Sequence, residues 1–473
     1  MSSDVGFRSE RGPVLASLMV TTGLVAIDAT VLATAVPTIV GELGGFAQFP
    51  WLFSVYLLAQ AVTVPIYAKL SDLFGRKPII LIGIGLFLLG SILCGVAWSM
   101  PALIAFRVLQ GLGAGAVQPM SITILGDIYS VAERARVQGY VASVWAVSSV
   151  VGPTLGGLFA QFDAWRWVFF VNIPLCLVAG WMLVRHFHEK VERHSHRIDF
   201  AGAALLAASM TLLILAVLEG GQAWAWDSWQ SVASFAVGGA LLVAFVLVER
   251  RASEPILPLW VFTRPLLLTT TLAGLGVGAL LIGLTSYVPT YLEGSLGVVP
   301  LVAGAALAAL TLGWPLSASF SGRFYLRLGF RTTALIGSAV SLVGTALLAG
   351  FATSPSVAVV TIASFVIGLG MGLLATATLI AAQSSVEWNE RGVVTGTNLF
   401  ARSIGSAVGV AVFGAIANSV FGDAVEPAPE AIVAGSAAVF LGVLIVMAAT
   451  FVAVLAMPKT PVQPAPTAEP AEA

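Results

Sequence analysis

The sequence predicts an all-α integral membrane protein, with 14 transmembrane helices arranged as two six-helix bundles plus an inserted helix pair. Three observations predict this fold class: the composition, the placement of basic residues and an internal repeat. Of the 473 residues, 58% are hydrophobic and 10% are charged, against about 25% charged residues in an ordinary soluble domain. The net charge of −1 gives no attraction for nucleic acid. Soluble enzymes, disordered chains and nucleic-acid-binding proteins therefore fit this composition poorly.

Fourteen stretches approach the roughly 20 apolar residues that a membrane-spanning helix needs. They cover residues 14–37, 51–69, 79–98, 102–125, 138–160, 167–184, 199–218, 231–248, 266–288, 301–322, 333–351, 356–380, 393–417 and 431–456. The predicted domains are an N-terminus 1–13, a six-helix bundle 14–184, a basic loop 185–198, inserted helices 199–250, a loop 251–265, a second bundle 266–456 and a disordered tail 457–473. A cleaved signal peptide at the N-terminus is the alternative for the first stretch, and thirteen further spans argue against it.

Basic residues fall on one side of the predicted membrane. With the N-terminus in the cytoplasm, the cytoplasmic side receives all of the 22 Lys and Arg residues except Arg107, Arg166 and Arg402. This distribution follows the positive-inside rule. We therefore expect a multi-pass protein of the plasma or inner membrane with both termini in the cytoplasm.

The sequence also repeats itself without inversion. The glycine pattern of segment 106–115 recurs at 368–372. Glu133-Arg134 recurs as Glu390-Arg391 at the same offset of 257 residues. The loop containing Gly75 recurs at Gly329. These landmarks indicate duplication of a six-helix unit, with helices 7 and 8 inserted between the copies. Two parallel halves around a midplane cavity are typical of transporters that work by alternating access.

Several segments resemble the major facilitator superfamily. They are the helix 2–3 loop Ala68-Lys69-Leu70-Ser71-Asp72-Leu73-Phe74-Gly75-Arg76-Lys77, Arg107 before Gln110-Gly111 in helix 4, and Gly152-Pro153-Thr154-Leu155-Gly156-Gly157 in helix 5. Two further segments, Ile27-Asp28-Ala29-Thr30-Val31 and Trp165-Arg166-Trp167 with Asn172-Ile173-Pro174, are similar to the fourteen-helix drug:proton antiporter family. The resemblance runs from about residue 14 to residue 456. It implies the major facilitator fold and proton-coupled export of lipophilic or amphipathic compounds by alternating access.

Asp28 and Arg107 are the predicted proton-coupling residues. A carboxylate near the bilayer centre is expensive, so Asp28 is a functional candidate by default. At about 1.5 Å per residue, Asp28 and Arg107 lie at depths that differ by only a few ångströms. Burial favours the neutral acid and a nearby arginine favours the ionised one, so an acid balanced between them can carry a proton. The alternatives are a static buried ion pair and, for Arg107, a purely structural role at backbone carbonyls.

Helix 5 carries the predicted antiporter motif, Gly152, Pro153, Gly156 and Gly157. Proline removes a backbone hydrogen bond and kinks a helix, and glycines let a second helix approach closely. A helix contact of this kind can flex when the two halves move and can still prevent leakage. Ordinary small-residue helix packing is the alternative.

Charged residues at the predicted cytoplasmic ends form a candidate latch that closes the inner side and opens as the halves rock. The candidates are Asp72, Gly75, Arg76, Lys77, Asp127 and Arg134. The family resemblance supports the latch, and without it simple positive-inside anchoring explains these charges.

Trp145, Trp314 and Arg402 are the substrate-pocket candidates, because all three lie within predicted helices. For Arg402, contact with backbone carbonyls or with water in the cavity is the alternative to contact with a substrate oxygen. Tryptophan can stack on an aromatic or cationic ligand, although lipid-facing or packing roles are equally open. Other tryptophans, including Trp165, lie near outer helix ends and are interpreted as an aromatic belt at the membrane–water interface. His186, His188, His194 and His196 form two His-x-His pairs, but their loop is basic and solvated, so no metal site is expected.

The sequence predicts a transporter and no enzyme. It has no Walker P-loop, so ATP is not the expected energy source, and no cofactor is expected. The expected partners are a small-molecule substrate, protons and the lipid bilayer, without nucleic acid, for a monomeric protein. Because Asp28 is the acid predicted within the core, neutral and monocationic compounds are the expected substrates. A specific exporter of a lipid, siderophore or secondary metabolite, and a membrane sensor that binds ligand without moving it, are the alternatives.

Overall fold

The computed structural model describes residues 6–44, 51–189, 199–220, 224–252, 255, 257–421 and 428–459. Within these residues the chain forms fourteen long helices, one for each stretch that the sequence predicts. They are α1 Gly12–Leu43, α2 Trp51–Phe74, α3 Arg76–Gly95, α4 Met100–Ile128, α5 Val131–Gln161, α6 Trp167–His186, α7 Phe200–Glu219, α8 Trp229–Glu249, α9 Pro265–Leu296, α10 Pro300–Leu328, α11 Phe330–Gly350, α12 Val357–Ser384, α13 Arg391–Phe421 and α14 Pro429–Leu455. Helix α6 consists of the one-turn segment Trp167–Phe170 followed by Asn172–His186.

Over the residues that the structure describes, eleven of these helices are long and apolar enough to cross a membrane. Within the same residues, α7 has the apolar stretch Ala201–Val217. Helices α5 and α13 carry glycine, serine and charged residues along their length. Both α5 and α13 pack against the opposite half. Small residues let packed helices approach closely, and polar residues can form hydrogen bonds between them.

Helix ends follow local chemistry. Side chains of Ser99, Asp199, Ser228 and Ser356 accept hydrogen bonds at the N-termini of α4, α7, α8 and α12, where backbone N–H groups lack helical partners. Prolines stand in the first turn of α1, α4, α9, α10 and α14, where their missing N–H is not needed.

The two halves repeat the same local geometry. Gly75 between α2 and α3 has φ 94° and ψ 161°, and Gly329 between α10 and α11 has φ 83° and ψ 163°. Positive φ combined with ψ near 160° is essentially confined to glycine. Helix α4 approaches α3 where Gly113 meets the carbonyl of Gly83, and α12 approaches α11 at the corresponding Gly370 and Gly337. The predicted fold class, two six-helix bundles with an inserted pair, is confirmed.

The halves meet along two seams. Helix α2 packs against α13, and α5 packs against α10, so each seam joins one helix from each half. The inserted helix α7 packs against both α2 and α13, and α8 packs against α7. Residues of α2, α7, α8 and α13 share one apolar cluster. The inserted pair is therefore attached beside the first seam.

Some sequence expectations need correction. Helices α1 and α9 extend to Leu43 and Leu296, beyond the predicted ends at 37 and 288, because helical hydrogen bonding continues outside the apolar stretch. Trp165 is fully buried and is not part of an exposed belt. His194, His196 and the tail from residue 460 lie outside the described residues.

Candidate functional site

Asp28 lies in the interior of α1 and is 1% exposed. Three side chains donate hydrogen bonds to its carboxylate. Arg107 Nη1 contacts Oδ2 at 2.9 Å, while Gln110 Nε2 and Asn172 Nδ2 contact Oδ1 at 2.8 and 2.9 Å. The donors come from α4 and α6, so the carboxylate joins three helices of the first bundle. These donors compensate for the loss of water, because burial of a charge without partners is very unfavourable.

Arg107 is 2% exposed and makes its other contacts within the same bundle. Its Nη1 also donates to Gln110 Oε1 at 2.7 Å, and its Nε donates to the carbonyl of Leu52 at 3.1 Å. Its guanidinium lies 4.1 Å from the centre of the Tyr56 ring. This contact is a cation–π interaction, and it adds helix α2 to the network.

The sequence identified Asp28 and Arg107, and the structure brings them together. Gln110 and Asn172 were not predicted as site residues, although both lie in the segments that resemble the family. Gln110 stands one helical turn after Arg107, a spacing that predicts contact. Ser91 Oγ accepts from Gln110 at 2.9 Å, and nothing in the sequence singles out Ser91 or Tyr56.

The part of the second half that the structure describes has no equivalent charged network. The repeat matches Arg107 with Ser364, whose hydroxyl is buried and has no hydrogen-bond partner among the described residues. Gly283 matches the region of Asp28, and a Cβ at Gly283 would meet Phe413 and Val443. The corresponding space is therefore filled by apolar side chains.

A second network lies at the basic end, which we define as the end where α2 meets α3 and α12 meets α13. Asp72, near the end of α2, accepts from the backbone N–H groups of Gly392 at 3.1 Å and Val393 at 2.8 Å. These groups belong to the first turn of α13, where the helix dipole favours a carboxylate. Asp72 also contacts Arg76 Nη1 at 2.6 Å. One acid thus connects the two halves.

Arg76 is fully buried and extends the network. Its Nε contacts Asp127 Oδ2 at 3.1 Å, and its Nη2 donates to the carbonyl of Trp388 at 2.7 Å. The guanidinium also lies 4.1 Å from the centre of the Trp388 ring. From the second half, Arg391 Nη1 contacts Asp127 Oδ1 at 3.2 Å. Asp127 is therefore held by one arginine from each half.

Arg134 links α5 to the second half at the same end. Its Nη1 donates to Gln383 Oε1 at 3.1 Å, its Nε donates to the carbonyl of Tyr129 at 2.9 Å, and its Nη2 donates to the carbonyl of Gly126. Gln383 Nε2 donates to Thr395 at 2.8 Å. The structure thus brings Asp72, Arg76, Asp127 and Arg134 together with Gln383, Trp388 and Arg391, which the sequence did not predict as partners.

Lys77 lies outside this interhalf network. Its Nζ donates to the carbonyls of Val184 at 2.9 Å and Phe187 at 2.5 Å, at the end of α6. Glu189 accepts from the backbone N–H groups of Arg76 and Lys77 and so caps α3. Lys77 fastens α3 to α6 within the first half.

The helix 5 motif lies at the contact between α5 and α1. A Cβ at Gly152 would overlap the hydroxyl of Thr30 and lie 2.8 Å from the Thr30 Cβ. Thr30 Oγ1 lies 3.2 Å from the carbonyl of Ser148 and donates a hydrogen bond to it. Gly156 is also buried, and Pro153 and Gly157 lie in the same helix. Helices α1 and α5 therefore approach closely two residues after Asp28.

The pocket candidates divide into a pair and a single residue. The Arg402 guanidinium lies 5.2 Å from the centre of the Trp314 ring, so α13 and α10 contact each other through these side chains. Arg402 and Trp314 are both partly buried. Trp145 is partly buried within α5, and no described contact joins it to the pair.

A charged contact lies at the opposite end of the bundle, beyond the apolar stretch 14–37 that the sequence predicts for α1. Arg166 Nη1 contacts Glu42 Oε1 at 2.6 Å, and the Trp165 indole N–H donates to Oε2 at 2.7 Å. The hydrogen bond from Arg166, with the one from Trp165, holds the pKa of Glu42 below its usual value. This contact fixes the end of α1 against the start of α6.

Comparisons with known proteins agree with this architecture. The sequence model of the Major Facilitator Superfamily matches residues 18–410. Multidrug transporter protein MdtP of Bacillus subtilis (strain 168) is 34% identical over 421 residues, which cover 89% of this chain and 78% of MdtP. Multidrug resistance protein 3 of the same organism is 34% identical over 396 residues, covering 84% of this chain and 77% of that protein.

Two further matches are an efflux pump and a solved structure of similar fold. Efflux pump FUS6 of Gibberella moniliformis (strain M3125 / FGSC 7600) is 30% identical over 427 residues, covering 86% of this chain and 74% of FUS6. The crystal structure of the human organic anion transporter MFSD10 (TETRAN) matches with a TM-score of 0.66 at 16% sequence identity. That match covers 94% of this chain and 99% of the human chain, and it concerns the fold.

Proposed function

Because the chain belongs to the major facilitator superfamily, a family of membrane transporters and not of enzymes, we propose that it is a proton-coupled efflux transporter. It exports lipophilic or amphipathic compounds in exchange for protons by alternating access. The names of its relatives, multidrug transporters and an efflux pump, support export. The observation that carries proton coupling is the buried carboxylate of Asp28 with its three donors.

Asp28 takes up and releases the transported proton in this proposal. When ionised, its carboxylate accepts from Arg107, Gln110 and Asn172 and so ties α1 to α4 and α6. Protonation removes the charge that Arg107 balances and converts one oxygen into a donor, so the set of three donors no longer fits. Arg107 is then a buried cation without an acid, which favours rearrangement of the bundle. A proton at one residue is thus coupled to the packing of three helices.

The basic-end network supplies the conformational part of the mechanism. We place this end in the cytoplasm, as the distribution of basic residues favours. Hydrogen bonds and ion pairs connect the two halves at this end. They close the cytoplasmic side, and inward opening requires that they break. The close contact of α1 with α5 beside Asp28 links the proton site to α5, one of the seam helices.

The proton gradient is a sufficient energy source. One proton entering across 100 mV releases about 2.3 kcal/mol. This corresponds to roughly fifty-fold accumulation of a neutral compound at one proton per substrate, before any pH difference is added.

Reconstitution tests the proposal. Proteoliposomes containing the purified protein are given a pH gradient, and accumulation of a fluorescent amphipathic compound is followed. Accumulation should require the gradient and should stop when a protonophore dissipates it. Transport unaffected by the protonophore would contradict proton coupling. Ligand binding without any transport would favour the sensor, and transport of one compound from a broad panel would favour a specific exporter.

A further inference from the structure

The three buried aspartates of the first bundle are each paired with an arginine. Asp28 contacts Arg107 at 2.9 Å, and the basic-end acids Asp72 and Asp127 contact Arg76 at 2.6 and 3.1 Å. A substrate cation would have to displace a buried arginine to reach any of these three carboxylates. The sequence expectation of monocationic substrates assumed an available charge on Asp28, and the contacts remove that assumption.

Arg402 differs from Arg76 and Arg107, because it has no acid partner among the described residues. It lies 11 residues after the first residue of α13, about 16 Å along the helix axis, and so stands deep in the second half. Among the described residues its side chain has no ion pair and no hydrogen bond, and its one described contact is the face of Trp314 at 5.2 Å. A cation held inside a membrane protein without an acid is unfavourable unless water or an anion accompanies it.

The position of this pair points to the space between the halves. Helix α13 forms one seam with α2, and α10 forms the other seam with α5. A contact from Arg402 on α13 to Trp314 on α10 therefore joins helices of two different seams. Since both helices also pack against the first half, we infer that the pair lies on the side of the second half that is turned toward the first. Both residues are partly buried, as expected for side chains that line an accessible interior.

We propose that Arg402 and Trp314 form a subsite for amphipathic organic anions, compounds with one acidic group on an aromatic or apolar body. The guanidinium donates a pair of parallel hydrogen bonds to a carboxylate or sulfonate, and the indole packs against the apolar body. The inference rests on the proposed efflux function and assigns its substrate class. It replaces the expectation of monocations, because the uncompensated charge in the second half is positive. An inside-negative membrane potential also favours outward movement of an anion.

The test compares three analogues on one aromatic scaffold, carrying a sulfonate, a neutral methyl sulfone or a trimethylammonium group. These charges do not change with pH, so a pH gradient does not redistribute the compounds by itself. Binding to the purified protein is measured by titration calorimetry, and gradient-driven transport is measured in proteoliposomes. Wild-type protein should bind and transport the sulfonate best.

Arg402→Gln should weaken sulfonate binding about tenfold or more, as expected for loss of a charge-assisted hydrogen bond. It should change binding of the neutral sulfone less than about twofold, which also shows that the variant is folded. Arg402→Lys should keep part of the affinity, because the charge remains while the paired geometry is lost. Arg323→Gln is the matched control, since Arg323 is exposed and lies 5.3 Å from the centre of the Phe320 ring; it should bind the sulfonate like wild type.

Each outcome separates the subsite from the efflux proposal. Unchanged sulfonate binding by Arg402→Gln, or tighter wild-type binding of the trimethylammonium analogue, would overturn the anion subsite. Arg402-dependent sulfonate binding without transport of any analogue would support the subsite and contradict the efflux function. If Arg402→Gln does not fold, Trp314→Ala decides, because it should weaken binding of the sulfonate and of the neutral sulfone together while Arg402 keeps the preference for the anion.

Discussion

Replacing Asp28 with asparagine tests the proton site, and the contacts predict two separate effects. The amide keeps one acceptor oxygen but turns an NH₂ group toward a donor, because both carboxylate oxygens accept hydrogen bonds in the native protein. It also leaves Arg107, which is 2% exposed, without its acid. Removing one partner of a buried ion pair costs about 3–5 kcal/mol. This is a large part of the roughly 5–15 kcal/mol that stabilises a typical domain.

The double variant Asp28→Asn/Arg107→Gln separates stability from coupling. It removes both charges, and replacing a whole buried pair by neutral residues is often close to neutral in free energy. We therefore expect thermal unfolding in detergent to show a large loss for Asp28→Asn and recovery of most of it in the double variant. Gradient-driven transport should be absent from both, because neither can carry the proton at residue 28.

Asp163→Asn is the control for an acid-to-amide change outside the network. Asp163 is exposed and has φ 52°, a conformation that asparagine also tolerates. It should match wild type in both assays. Gradient-driven transport by the double variant at wild-type rate would refute the role of Asp28, and an Asp28→Asn protein as stable as wild type would refute the energetic reasoning.

Three further predictions concern the basic end, the α1–α5 contact and the contact of Glu42 at the opposite end of the bundle. Asp72→Asn should slow transport several-fold, because the charge that caps α13 is lost, while competition between substrates stays unchanged; an altered competition profile at an unchanged rate would place the residue in the pocket instead. Gly152→Ala should lower the free energy of unfolding by about 1–3 kcal/mol, because its Cβ would overlap Thr30, whereas Gly85→Ala, with open space around its Cβ, should be neutral or slightly stabilising in the same thermal assay. The lowered pKa of Glu42 means that its stabilisation is present above the unfolded value near 4.5 and is lost as pH falls through the lower folded value. Glu42→Gln should thus cost a constant amount, under about 1 kcal/mol for an exposed pair, between pH 5 and pH 8, and a difference that grows on acidification would contradict this assignment.

The sequence predicts the helices and the halves well because both depend on local properties. Apolar length identifies a membrane-spanning helix, and a repeat of glycines such as Gly75 and Gly329 marks equivalent turns. The axial rise of a helix also places Asp28 and Arg107 at similar depths. The depth of a residue in the membrane and the order of the helices can therefore be predicted from the sequence alone.

Contacts between helices that are distant in the sequence cannot be predicted in the same way. Periodicity does not say which neighbouring helix a side chain faces, so Gln383 and Trp388 were not expected beside the basic-end acids. The same limit explains the substrate expectation. Asp28 appears as an available charge in the sequence, whereas the fold surrounds it with Arg107 and two amides. Arg402 could be recognised as unusual, but its contact with Trp314 depends on helix rotation.

The inserted pair gives the protein two unlike flanks toward the bilayer. Helix α7 packs against α2 and α13 and shares an apolar cluster with them, so lipid beside that seam meets two additional helices. The α5–α10 seam lies on the other flank, away from the pair. We therefore expect a compound dissolved in a leaflet to reach the interior more directly from the α5–α10 flank than from the flank that the inserted pair covers.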